Sequence, residues 1–281
     1  MKERTRTLSS VAGKKLNVRI WAPEESSERS GAVILVHGLG EHCGRYAHVA
    51  RHFTDRGFSV YGADHVGFGA SEGRRGDAPG GLRTLERDVL GVLDLASKEL
   101  GKASRRVLLG HSMGGLVALQ CLLDHPEAAR EAVVSGPALN VEAGISRSRI
   151  RLARVMGLLL PVVTTNHGID AEKVCSDPEV VSAYVSDPLV HRRISSRLLV
   201  SMIDEGDRVR AASDRFDPAL SLLLLHGEED AISLPADTRA FADAVACERT
   251  RLHVFPRMRH EVFNEPENAK TFESVDRFLA L

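Results

Sequence analysis

The chain has 281 residues, 43% of them apolar, and a formal net charge of −1. That balance, with no basic stretch interleaved with aromatics, excludes a general nucleic-acid binder. The length and apolar content suit one large core, or a core carrying an inserted subdomain.

Residues 1–15 are polar and hold no apolar core of a secretory signal. The apolar run 157–163 is short and broken by Pro161, so no membrane span is expected. Cys43, Cys121, Cys175 and Cys247 lack CxxC or metal-like spacing and read as free thiols in a reducing, cytoplasmic compartment. In chain order, residues 16–22 alternate as an edge strand should, and 32–38 are continuously apolar, as in a strand buried on both faces. Similar strands follow at 57–64, 105–110, 131–136, 220–227 and 251–256. Helical periodicity marks 46–56, 82–100, 113–123, 237–246 and 269–279. This alternation predicts an α/β fold with a mostly parallel central sheet and helices on both faces.

The rhythm breaks after residue 139, where about eighty residues carry no clear strand. Helical pieces at 147–160, 177–188 and 191–206 argue against a structureless loop. The expected organisation is a core of residues 1–137 and 217–281, with 138–216 inserted as a helical cap. The cap would cover the C-terminal edge of the sheet, where ligands of open α/β sheets bind.

Gly110-His111-Ser112-Met113-Gly114 fits G-x-S-x-G, with a strand directly before it and a helix after it. A sharp turn there lifts the serine hydroxyl off the sheet, and side chains at Gly110 or Gly114 would collide across it. The free N–H groups of the following helix favour negative charge beside the serine. A serine needs a base to take its proton, and on this fold an acid and then a histidine follow on later strands. After the strand ending at 227, Glu228, Glu229 and Asp230 compete for the acid, and Asp230 is preferred. His260, between the last strand and last helix, is the base, while His226 and His253 read as structural. The oxyanion donors are expected to be the backbone N–H groups of Met113 and of Leu39, whose flanking glycines allow close approach.

With these residues assembled, the chain resembles the monoacylglycerol lipases of the α/β-hydrolase superfamily, bacterial members included, and the lysophospholipase and serine-aminopeptidase-like group. The resemblance spans nearly the whole chain through "HGLGEHCGRY" (37–46), "DHVGFGASEG" (64–73), "GHSMGG", "SDPLV" (186–190), "HGEED" and "HEVFNEPE". It implies Ser112, Asp230 and His260 as a catalytic triad and monoacylglycerol as the ester cleaved; a lysophospholipase, a general carboxylesterase, an aminopeptidase and a non-catalytic binding protein are the alternatives. It also implies that Glu41, Arg45, His111 and, from the cap, Tyr184 hold the glycerol head group. The competing readings are a local salt bridge for Glu41 and Arg45 and a packed cap residue for Tyr184. Two departures are visible: Gly67-Phe68-Gly69 where the family often has G-H-G, and Leu39 where a smaller residue is common.

The chemistry needs no metal or organic cofactor, and the partner is a small-molecule lipid ester. Arg147, Arg149, Arg151 and Arg154 precede the apolar residues 155–160. That pattern reads either as peripheral contact with a lipid surface or as a cap helix whose apolar residues line an acyl tunnel. Cys43, inside the oxyanion loop, is expected to be sensitive to thiol reagents unless it is simply buried. Oligomeric state is not legible.

Overall fold

Ala32 to Val36 offer no polar side chain, and the strand they form, β3 (Gly31–Val36), is buried along its whole length. The computed structural model describes residues 1–24, 30–101, 104–143 and 146–281. Ahead of β3 lie β1 (Lys2–Ser9) and β2 (Lys15–Ala22). After it come α1 (Ala47–Thr54), β4 (Phe58–Ala63), α2 (Leu82–Leu100), β5 (Arg106–His111), α3 (Met113–Asp124) and β6 (Glu131–Ser135). The inserted region holds α4 (Arg147–Leu159), β7 (Thr164–Asn166), α5 (Pro178–Ser186), β8 (Arg193–Ser195) and α6 (Ser196–Ala211). The chain then returns with β9 (Ser221–Gly227), α7 (Pro235–Ala244), β10 (Arg249–Phe255) and α8 (Ala269–Leu279).

The central sheet runs β1-β2-β4-β3-β5-β6-β9-β10. Pairing is antiparallel for β1–β2 and β2–β4 and parallel from β4 to β10. Period-two alternation sends Ala32, Ile34 and Val36 to the face covered by α2, α3 and α7. Val33 and Leu35 face α1 and α8. Each fully buried Leu or Phe in these layers contributes about 1.5–3 kcal/mol. Among the described residues, no helix is long and apolar enough to cross a membrane.

Three expectations change. Residues 16–22 do not form the edge: β1 pairs along β2 from Lys2↔Ala22 to Ser9↔Lys15. The alternation of β2 arises because one side packs on the core while the other stays half-exposed. The helix expected at 46 opens with a 3-10 turn, Cys43–Tyr46, before α1. In the inserted region, the short antiparallel pair β7–β8 appears, and the last helix starts at Ser196 rather than 191. Its start is fixed by Ser195, whose side chain accepts from Leu198 N. Leu198, Met202 and Val209 carry α6 into the main core beside α2 and α3. The rest of the insertion is pinned to the strand-end loops: Ser195 N donates to Gly76 O (2.7 Å), His191 N to Gly40 O and Glu261 N to Val174 O (both 2.8 Å).

Candidate active site

β5 ends at His111 and α3 begins at Met113, leaving Ser112 alone to make the turn at φ 55°, ψ −119°. A residue with a Cβ held at positive φ stores about 1–3 kcal/mol, so its surroundings must enforce it. They do: Ser112 N donates to Ser135 O (2.9 Å), and Ser112 O accepts from Leu116 N and Ala138 N (3.1 Å each). A Cβ on Gly110 would stand 2.6 Å from Gly114 O, across the turn as the sequence suggests. At Gly114 the obstacle is different: a Cβ there would strike the carbonyls of Val36 and His37, at the end of β3. The second glycine therefore lets α3 press against the neighbouring strand.

β9 and β10 deliver the other two groups. His260 Nδ1 lies 2.7 Å from Asp230 Oδ2, and both residues are buried. Asp230 Oδ1 accepts from Ile232 N (2.7 Å) and Ser233 N (3.0 Å). Glu228 and Glu229, the competing acids, are exposed. Burial alone would raise the Asp230 carboxyl, but the facing His260 charge and the hydrogen bonds from His226 and His260 hold it well below the usual carboxylate range. Burial pulls His260 down, yet Asp230, helped by Glu261 and Glu41, leaves its pKa above the ordinary histidine value. Ser112 and His260 line one small cavity. The Ser112 hydroxyl makes no hydrogen bond among the described residues; such contacts in unliganded sites often tighten only with substrate.

The N–H groups of Leu39 and Met113 likewise have no acceptor among the described residues. Their loop is braced from within: Glu41 Oε1 accepts from Gly38 N (2.6 Å) and the Tyr46 hydroxyl (2.7 Å), and Glu41 Oε2 from Arg45 (2.6 Å). Arg45 also makes a bidentate pair with Glu261 (2.6 and 2.7 Å) and sits 4.7 Å above the Tyr184 ring. One guanidinium thus ties the loop after β3, the residue beside His260 and the inserted helix α5. Arg45 is absent from the cavity wall, whereas Glu41, His111, Tyr184 and Glu261 are part of it. His111 Nδ1 meets Ser135 Oγ at 3.0 Å; burial first, then the neighbouring His260, pushes its pKa down to about 4. Burial, with Glu41 and Glu261 nearby, pushes Tyr184 up to about 12, so it stays an O–H donor.

Two spaces meet at Ser112. One is this polar niche of about 20 Å³. The other is a cavity of about 220 Å³, walled by Leu39, Val141, Ile194, Leu199, Met202 and Ile232, with Asn140 and His167 among its polar groups. Among the described residues, none from α4 lines it. Phe68 packs against His37, His65 and His191, so an aromatic contact occupies its place in the loop. Cys43 is buried and donates to Asp64 Oδ1 (2.8 Å). Burial and the Asp64 charge push that thiol well up, so of the two readings of Cys43 the buried one holds.

Sequence reasoning assigned nothing to Glu261, although it flanks His260, and treated His226 as structural. The pairing of Glu261 with Arg45 spans 216 positions and has no local signature.

A strained serine at a strand-to-helix elbow, sharing a cavity with a carboxylate-backed imidazole over the C-terminal edge of a mostly parallel sheet, is the arrangement of the α/β-hydrolases, and the chain is one of them. It belongs to the family described as serine aminopeptidase, S33, whose model matches residues 27–267. It is 35% identical over 279 residues to monoacylglycerol lipase of Mycolicibacterium smegmatis, covering 97% of this chain and 95% of that one. Among solved structures, the monoacylglycerol lipase of Paleococcus ferrophilus aligns with a TM-score of 0.83 at 29% identity, covering 99% of this chain and 98% of its own. A soluble variant of monoglyceride lipase from Saccharomyces cerevisiae, solved with a substrate analogue, shares the fold at TM-score 0.87 and 21% identity, covering 98% and 94% of the two chains.

Proposed function

We propose that the protein is a serine esterase that hydrolyses monoacylglycerol to glycerol and a fatty acid through an acyl-enzyme. The observation that carries this reading is the position of Ser112, shared by a cavity walled largely by aliphatic side chains and a smaller niche bordered by Glu41, His111, Tyr184 and Glu261. An acyl chain in the first gains about 0.8 kcal/mol per buried methylene, before costs. The second offers the acceptors of Glu41 and Glu261 and the donor of Tyr184 to hydroxyls. Its 20 Å³ holds about one water. A glycerol head group therefore enters only when the wall formed by Ile169, Val174 and Tyr184 shifts, which makes residues 138–216 a working cap with α6 as its anchor.

In this mechanism His260 takes the Ser112 proton as Oγ attacks the ester carbonyl. The N–H groups of Leu39 and Met113 meet the developing oxyanion, at about 3–4 kcal/mol for one such donor. Asp230 stabilises the imidazolium without taking its proton. His260 then protonates the leaving glycerol, and water activated by the same imidazole releases the fatty acid. Arg45 acts through Glu41 and Glu261, holding the oxyanion loop against the base. Because His260 works only unprotonated and its pKa is raised, kcat/KM should fall with decreasing pH at a midpoint above the ordinary ~6.5. A pH–rate profile with its acid limb below that value would contradict the assignment.

The reading is tested with purified protein on monoacylglycerols, lysophospholipids, p-nitrophenyl esters and aminoacyl amides, together with a fluorophosphonate probe. The highest kcat/KM on monoacylglycerols and labelling at Ser112 are expected. Preference for lysophospholipids or amides would replace the substrate, and failure to label would turn the protein into a binding module.

The surface of α4 favours lipid contact over a role in the acyl cavity. Leu158 is 83% exposed, Leu159 73% and Leu152 61%, and Val155, Leu160 and Val162 are also exposed. Arg147 and Arg151 are exposed, while Arg154 is held by Asp204 (2.6 Å). The side chain of Arg149 lies outside the described residues. The Arg147→Glu/Arg151→Glu double variant should sediment less with anionic vesicles than wild type, at about 1 kcal/mol per lost cation, and twice that for each reversal. Equal sedimentation would remove the membrane role.

A further inference from the structure

His226 closes β9 and is fully buried, and the reaction as derived leaves it without a task. Its Nε2 lies 3.0 Å from Asp230 Oδ2, the oxygen that also faces Nδ1 of His260. The same Nε2 lies 2.9 Å from the Ser233 carbonyl, and Nδ1 lies 2.9 Å from the Thr238 hydroxyl. Both neighbours of Nε2 are acceptors, so that nitrogen carries a hydrogen: it bonds to the Ser233 carbonyl and leaves the positive N–H edge of the ring against Asp230 Oδ2. The Thr238 hydroxyl can donate to or accept from Nδ1, which pins the ring at its other end.

We infer that His226 is a positioning residue for the base, acting through Asp230 to set the orientation and basicity of His260. The inference rests on Asp230 and His260 being the acid and base proposed above. Asp230 Oδ1 is held by the N–H groups of Ile232 and Ser233. Without a partner of its own, Oδ2 would face His260 alone. The ring N–H edge of His226, 3.0 Å from Oδ2, fixes how the carboxylate is turned toward His260. It also takes a share of the Oδ2 charge, which moderates the pull of Asp230 on the His260 proton. Removing the donor therefore has two separable consequences. Loss of orientation slows the proton transfer, and the restored charge makes His260 more basic. A side chain that only filled space would produce neither. The other groups around His260 stay in place in the variants below: His111, with ring centroids 4.6 Å apart, and the carboxylates of Glu261 and Glu41, the latter two tied to Arg45. On the His226 side the charged partner is Asp230, and Thr238 and Ser233 are uncharged.

The test compares full-length His226→Leu, His226→Gln, Thr238→Val and Asp230→Asn with wild type, reading kcat, KM and the acid limb of kcat/KM on one ester. His226→Leu should lower kcat about 10- to 30-fold, a fraction of the ~10²–10⁴ that general base catalysis supplies, with KM little changed. Its acid limb should move to higher pH by about 0.5. His226→Gln, which carries an N–H donor near the same point, should recover most of both effects. Thr238→Val should move both in the same direction by less, and it carries the test where the leucine variant does not fold. A folded leucine or valine variant with the wild-type kcat and acid limb, or a glutamine variant no better than leucine, would overturn the inference. Asp230→Asn separates the two levels: its inactivity beside a fully active His226→Leu removes only the role of His226, whereas an active Asp230→Asn removes the triad as well.

Discussion

Ser112→Ala is expected to lower turnover of the best ester about 10⁴–10⁶-fold while leaving the fold intact. The loss is large because the acyl-enzyme route requires Oγ, and among the described residues no other hydroxyl stands at the junction of the two cavities. Residual activity would come from the oxyanion donors and binding, which alanine leaves in place. The fold should persist for a structural reason. The unusual backbone at position 112 is set by its own N–H and carbonyl, bonded to Ser135, Leu116 and Ala138. Alanine keeps those bonds and has the same Cβ, so it adds no strain at φ 55°. The removed hydroxyl bonds to nothing among the described residues, so no buried partner is orphaned. Thermal unfolding should therefore superimpose on wild type, and fluorophosphonate labelling should vanish. A loss of turnover under about tenfold would mean that another group performs the attack.

This site was legible because its chemistry is written locally. The glycines around Ser112 are required by two identifiable close approaches, and Asp230 and His260, the proposed acid and base, each follow the C-terminal end of a strand whose apolar run is plain in the sequence. What escaped detection lacked such a signal. β1 is exposed on nearly every residue, so no apolar face marks it, and only its pairing with β2 makes it a strand. β7 and β8 have three residues each, shorter than any pattern can report. For Glu41 and Arg45 a local salt bridge was one of the two readings the sequence offered, but its extension across the chain was not. Each is drawn into a buried ion network with Glu261, and the partner that completes it lies at the far end of the chain. His226 looked like any strand-end histidine. Its contact with Asp230 depends on the tight turn that follows β9, in which Asp230 N bonds back to Gly227 O. Spacing alone does not reveal that fold-back outside a helix.

The geometry of that turn makes Asp230→Asn the second large effect, although the two side chains have nearly the same shape. Four N–H groups face the carboxylate: Ile232 N and Ser233 N bond to Oδ1, His260 Nδ1 bonds to Oδ2, and His226 Nε2 stands 3.0 Å from Oδ2. An amide has only one acceptor oxygen. If its NH₂ replaces Oδ2, it faces two imidazole donors. His260 relieves that clash by moving its proton to Nε2, which is the wrong tautomer to accept one from Ser112. If the NH₂ replaces Oδ1, two backbone N–H groups in a buried turn lose their acceptor, at about 1–3 kcal/mol each. In either orientation the negative charge that stabilises the imidazolium is gone. Turnover should fall about 10⁴-fold, and stability at neutral pH by roughly 2–5 kcal/mol. The pH dependence distinguishes this origin from a packing defect. The Asp230 carboxyl titrates below its unfolded value, so its contribution is fully present above about pH 4 and is lost as pH falls toward the folded pKa. The stability gap between wild type and Asp230→Asn, followed by denaturant melts, should therefore be widest between about pH 4 and the ordinary histidine value of ~6.5, narrow as pH rises through the raised pKa of His260, and close below about pH 4. A gap that stays open through the acid range would place the cost in packing and remove the charge network from the explanation.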